Sequence, residues 1–206
     1  MKGSKTWVWI LFFGSLWGIH EVVTGEILFR NEVLLASIWL SAWVFFILAV
    51  ARGIVNKPGT SILIAGIAAV FKLVNAPPFF CHLLAIFLLG VGFDVAASLL
   101  IKKGRKPALW QGLTGVLGAY GGYALFALII TYIVRYAYWV DGGAAKVLNH
   151  IFVDGSLAAA VSAFLVPLGY RFGLHGWPVL EKHSRWSFIG ATAGLVILWA
   201  LGRMAG

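Results

Sequence analysis

Seven apolar runs, at about 7–29, 33–51, 60–76, 79–101, 109–139, 147–170 and 186–203, fill most of this chain and decide what it can fold into. A membrane helix needs about 20 such residues, with roughly 17 as a lower limit, so the third run is short and the fifth is long. Charged residues make up only 11% of the 206 and hydrophobic ones 61%, against about 25% charged in a soluble domain. The sequence therefore predicts an all-α fold, a polytopic integral membrane helical bundle, as a single transmembrane domain over 1–206. Seven transmembrane helices are expected, or six if the last segment only lies at the interface. No length remains for a separate soluble domain.

The breaks between runs carry their own chemistry. "NKPGT" (56–60) and "KKGRKP" (102–107) combine proline, glycine and charge, and "NAPPFF" (75–80) sets two prolines between the third and fourth runs. Proline stops one helix and can open the next, so a very tight hairpin is expected there. The first run follows Lys2 and Lys5, but it is about twenty residues long, contains Glu21 and is followed by no small-x-small cleavage site. It reads as an uncleaved span.

Basic residues set the orientation. With the N-terminus inside, the inner segments hold Lys2, Lys5, Arg52, Lys57, Lys102, Lys103, Arg105, Lys106, Arg171, Lys182 and Arg185, and the outer ones Arg30, Arg135, Lys146 and Arg203. Eleven against four predicts a cytoplasmic N-terminus in a multi-pass protein of the cell inner membrane. Residues 171–186 read as the longest inner loop, one that could dock a cytoplasmic partner. The net charge of +9 is thus spent on topology. No basic arm or aromatic-interleaved basic surface points to nucleic acid.

Small residues recur at helical spacing: Gly112, Gly115, Gly118 and Gly122 in the fifth run, and Gly190, Ala193 and Gly194 in the last. In lipid such stripes mark close helix packing.

Ionisable side chains inside these runs stand out most, because each costs at least ~2.5–3.5 kcal/mol at the centre of a membrane helix. At 100° per residue, Gly14, Gly18, Glu21 and Gly25 share one face about 60° wide. Glu21 therefore points into the bundle, while its neighbour His20 is rotated away with Trp17 and Thr24. Ser61, Ala65, Ala69, Lys72 and Ala76 share a face of the third run. Glu21 lies about 14 residues past its helix start and Lys72 about 12, so the two sit at similar depth and a Glu21–Lys72 ion pair is expected. Such a pair either fixes helix register or opens to hold a ligand or proton. Asp94, with Gly90, Ala97 and Ser98, lies deep on the cytoplasmic side as a structural carboxylate or proton carrier. His150 and Asp154, spaced i and i+4, suit a metal ligand or proton relay, or merely local capping. Cys81 and His82 sit beside the proline hairpin, and Glu26 lies near the outer end, where water reaches it. Glu21, Lys72, Asn75, His82, His150 and Asp154 all map to the outer half and make up the candidate ligand-binding set.

No motif of known chemistry completes itself. "HE" at 20–21 lacks the second histidine of a zinc protease, Cys81 is the single cysteine, and no phosphate-binding glycine loop or catalytic set is legible. His20, His82 and His150 leave b-type haem or a metal ion open as cofactors.

The overall plan resembles the substrate-binding S component of energy-coupling-factor vitamin and metal transporters. It shares with them one compact hydrophobic domain, an N-in topology, a small-residue seam in the first span (Gly14, Gly18, Gly25), a short third span and polar groups toward the outer half. The resemblance implies that the seam docks a transmembrane coupling subunit and that a substrate is held on the extracellular side. The chain departs from that plan in a seventh span and in lacking the histidine-rich N-terminus of the metal-binding members. The expected function is a small-solute-binding membrane subunit of an uptake transporter, set in the lipid bilayer with other membrane or cytoplasmic subunits. The alternatives are a redox-complex subunit holding haem or quinone and a structural membrane anchor.

Overall fold

The computed structural model describes residues 3–77, 79–101 and 107–205. Among them the chain forms helices α1 (Gly3–Arg30), α2 (Ala36–Ile54), α3 (Thr60–Asn75), α4 (Phe80–Leu100), α5 (Pro107–Leu128), α6 (Ala137–Val140), α7 (Gly143–Asn149), α8 (Gly155–Lys182) and α9 (Ser184–Ala205), and no strand. Two π-helical turns, Ile129–Ile133 and His150–Asp154, extend α5 and lead into α8. Six stretches are long and apolar enough to cross a membrane, and α3 is a shorter apolar helix of 16 residues. The protein is an all-α, multi-pass membrane bundle.

The helices close into a ring: α1 packs on α3, α3 on α4, α4 on α5, α5 on α8, α8 on α2, and α2 returns to α1. The last helix, α9, lies outside the ring against α1, with a smaller contact to α3. We call the end where α1 and α3 finish and α4 begins the distal end, and the opposite one the proximal end.

Glycine sets how closely the ring members approach. A methyl placed on Gly18 would fall 2.5 Å from Phe71 Cβ, and one on Gly14 would fall 2.6 Å from Ile67 Cβ. At Gly14 and Gly18 the seam of the first helix is therefore occupied by α3 from within the chain. On α5 the glycines divide between two neighbours. Gly112 and Gly115 meet Ala163 and Ser162 of α8, while Gly118 and Gly122 meet Phe93 and Leu89 of α4. The stripe expected on α9 is largely unused: Gly190 has nothing within reach of an added methyl, Ala193 is exposed, and Gly194 alone meets Phe12.

Two expected boundaries move. Residues 171–182 are not a loop: α8 continues through Pro167 and Pro178 to Lys182. Its backbone passes close enough to α2 that Gly169 lies on Phe46 O and Gly173 on Val50 O. Proline removes one helical hydrogen bond, and the bonds on either side of Pro167 and Pro178 carry the helix past them. The long fifth run does not stay one span. It ends in the π-turn at Ile133, reverses at Arg135 (φ 55°) and re-enters as α6. The hairpin after α3 occupies 76–79, with Pro78 outside the described residues, and most of "KKGRKP" lies outside them too.

Candidate functional site: a polar and aromatic cavity at the distal end

Glu21 and Lys72 meet. Lys72 Nζ donates to Glu21 Oε2 at 3.1 Å, with both residues buried. The close approach of α1 and α3 at Gly18 brings the two backbones near enough for these side chains to span the gap. Glu21 Oε1 accepts from Trp17 Nε1 at 3.2 Å. Trp17 is completely buried, so it belongs to the face of Glu21 and not to that of His20. An ionised carboxylate has about four acceptor positions, so two donors leave it capacity for more.

His150 and Asp154 also meet, across the π-turn that opens α8. Nδ1 and Asp154 Oδ2 are 2.9 Å apart. With the neutral ring donating its Nδ1–H to that carboxylate, Nε2 is the ring's acceptor. The imidazole is stacked on Tyr123 (centroids 4.8 Å apart) and touched edge-on by Trp139 (5.1 Å) and Phe126 (5.6 Å). These rings fix its plane.

Glu21, His82 and His150 line one cavity of about 240 Å³ between α1, α2, α4, α5 and the α6 segment. At ~30 Å³ per molecule this is room for about eight waters, the scale of a small organic ligand. Its walls are Leu40, Ile86, Leu89, Phe126, Tyr138 and Trp139, and its hydroxyls come from Ser37, Ser41 and Tyr123. Ser41 Oγ and Tyr123 Oη share a hydrogen bond of 3.0 Å. Residues 134–149, between the two π-turns, form a cap that contributes Tyr138 and Trp139 to the lining. Single π-turns within helices are frequent at functional sites.

Of the other expected site residues, Lys72 and Asp154 stand directly behind Glu21 and His150. Asn75 is not brought to the cavity. Its Nδ2 donates to Phe71 O at 2.8 Å, and it faces α9, where a methyl on Gly202 would lie 3.2 Å from its Cγ. It lines a separate cleft with Val74 and Arg203. His20 also lies elsewhere, in an apolar groove between α1 and α2 beside Trp43. Glu26 pairs at the exposed surface with Arg30. Among the described residues no group of three or more His, Cys, Asp or Glu side chains is placed to hold a metal ion.

Asp94 is at the proximal end, where it caps α3. Its carboxylate accepts from the backbone N–H of Gly59 at 2.8 Å and of Ser61 at 2.9 Å, and from Ser98 Oγ at 3.4 Å. Arg52 Nη1 lies 3.6 Å away with its side chain 1% exposed. The basic residue counted as part of an inner loop is thus a buried counter-ion, and it also donates to Lys57 O.

The cavity's aromatic and hydroxyl residues are those that sequence reasoning passed over. The legible signal was the hydroxyl itself, since a tyrosine within a membrane span needs a partner for its O–H. Comparison of the chain with protein-family models, curated proteins and solved structures finds no significant match.

Proposed function

We propose that this chain is the small-solute-binding integral membrane subunit of an uptake transporter, with the distal cavity as its solute site. The observation that carries the reading is the convergence of Glu21, His82 and His150 on one aromatic-walled cavity under a cap bounded by two π-turns. Intramembrane ionisable residues that face a cavity mark ligand or ion pathways in membrane proteins. Small-molecule sites take this form: mostly apolar walls with a few convergent polar groups. The excess of basic residues on the proximal side favours an N-terminus in the cytoplasm of a bacterial-type inner membrane, so the cavity opens outward. Energy for uptake then comes from partner subunits.

Small molecules extracted from the purified protein and identified by mass spectrometry test the reading. A defined solute near one per chain is expected, lost from Trp139→Leu and His150→Phe. A solute content unchanged by those substitutions, or none at all, sinks it. The competing redox reading draws on His82 and His150 lining the same cavity. It predicts a Soret band that disappears in His82→Ala or His150→Ala, and that band would replace the transport reading.

A further inference from the structure

The fixed charge at the cavity's wall is one-sided, and this narrows the chemistry of its solute. Among the described residues no lysine or arginine lines it. Lys72 is engaged behind Glu21, and Lys146 is held outside by Tyr138, with Nζ 3.0 Å from its carbonyl and 2.9 Å from its ring centroid. Beside the hydroxyls of Ser37, Ser41 and Tyr123 and the ring of His82, the cavity presents two acceptors. Glu21 is a carboxylate that accepts from Trp17 and Lys72 and has about four acceptor positions, and with Nδ1 of the neutral His150 ring held by Asp154 its Nε2 is an acceptor. The walls include the aromatic rings of Tyr123, Phe126 and Trp139, and such rings attract cations by their quadrupole. A carboxylate or phosphate entering here would lose its hydration with no cation to replace it.

We infer that the solute is a small planar organic cation bearing N–H donors, of the amidine or protonated aminoheterocycle class, and not an anion. The inference rests on the solute-binding reading above. One N–H edge meets Glu21 as a charge-assisted hydrogen bond, the ring body lies among Tyr123, Phe126 and Trp139, and a second donor reaches His150 Nε2. No bond is made or broken; the step is binding alone.

Three isosteric probes separate the possibilities: benzamidine, benzamide and benzoate, titrated calorimetrically into the full chain in lipid nanodiscs. Benzamidine is expected to bind at least about tenfold tighter than benzamide, with benzoate not binding, because a hydrogen bond to a charged group exceeds a neutral one by roughly a factor of ten or more in affinity. Glu21→Gln combined with Lys72→Met removes the carboxylate without leaving an unpaired ammonium. That double variant should lose about tenfold to a hundredfold for benzamidine and little for benzamide. Should it fail to fold, His150→Phe must still weaken benzamidine.

Benzamide or benzoate binding as tightly as benzamidine overturns the cation assignment. The solute site itself survives that result if Trp139→Leu abolishes the binding. If none of the three binds, the class is wrong. If in addition no solute co-purifies, the solute-binding reading falls with it.

Discussion

The short helix α3 carries a buried ion pair at each end, and the two are built for different purposes. At the proximal end Asp94 accepts two backbone N–H groups and a serine hydroxyl, with Arg52 beside it. At ~1.5 Å per residue the 16 residues of α3 span only about 24 Å, short of the ~30 Å hydrocarbon core. Its first amides therefore start inside the bundle, where water cannot satisfy them, and Asp94 does so. At the distal end Glu21 accepts from Trp17 and Lys72, no backbone N–H among them, and it borders a cavity. A saturated carboxylate is architecture. A carboxylate that serves no backbone group and borders an open space is the candidate for binding.

The comparison breaks first at Asp94. Asp94→Leu should cost about 5 kcal/mol of folding free energy, because it strands a buried guanidinium and two amides together. Denaturant unfolding in detergent would measure it. Adding Arg52→Met should recover little, since the amides of Gly59 and Ser61 remain unsatisfied. A near-complete recovery would show that the ion pair, and not the helix cap, is what Asp94 supplies. At the distal end Glu21→Gln and Lys72→Met should each cost about 3 kcal/mol. The double variant should win back a substantial part of the summed loss, because no backbone group depends on either side chain. Strictly additive losses would mean that the pair does not couple the helices.

These contrasts also explain what could be read from the sequence. Glu21 and Lys72 were legible because both sit on small-residue faces of regular helices, so helical geometry alone puts them at one depth. His150 and Asp154 were legible because i and i+4 are neighbours on any helix. Arg52 was not: a basic residue beside a turn looks like a topology signal, and only the recessed start of α3 reveals the buried carboxylate it serves. The cap was hidden for a related reason. Residues 134–139 continue an apolar run, and hydropathy does not register the left-handed turn at Arg135 that folds them back over the cavity. Asn75 shared the depth of the site but points to α9, whose position outside the ring has no local sequence signal.

Smaller substitutions sharpen the distal half of the comparison. Gly18→Ala places a methyl 2.5 Å from Phe71 Cβ, next in sequence to Lys72, and the two helices must part to admit it. A loss of about 1–3 kcal/mol is expected, with weaker solute retention because the Glu21–Lys72 pair is stretched. Gly18→Ala with unchanged stability would show that α1 and α3 do not depend on that contact.

The smallest effect is expected at Gly190, which belongs to a small-residue stripe of the same kind on α9. Nothing lies within 4 Å of a methyl placed there. With no neighbour to displace, Gly190→Ala removes only the backbone freedom of glycine. It should leave stability unchanged or raised by less than about 1 kcal/mol. Solute binding should not move, because α9 packs outside the ring that encloses the cavity. The same glycine-to-alanine change is thus disruptive on α1 and harmless on α9. Helical spacing of small residues marks a face able to pack closely, and only the order of helices around the bundle decides whether another helix occupies it. A loss at Gly190 comparable to that at Gly18 would mean that α9 presses against a further surface, a partner subunit or a second copy of the chain, and that its exposed stripe is an interface.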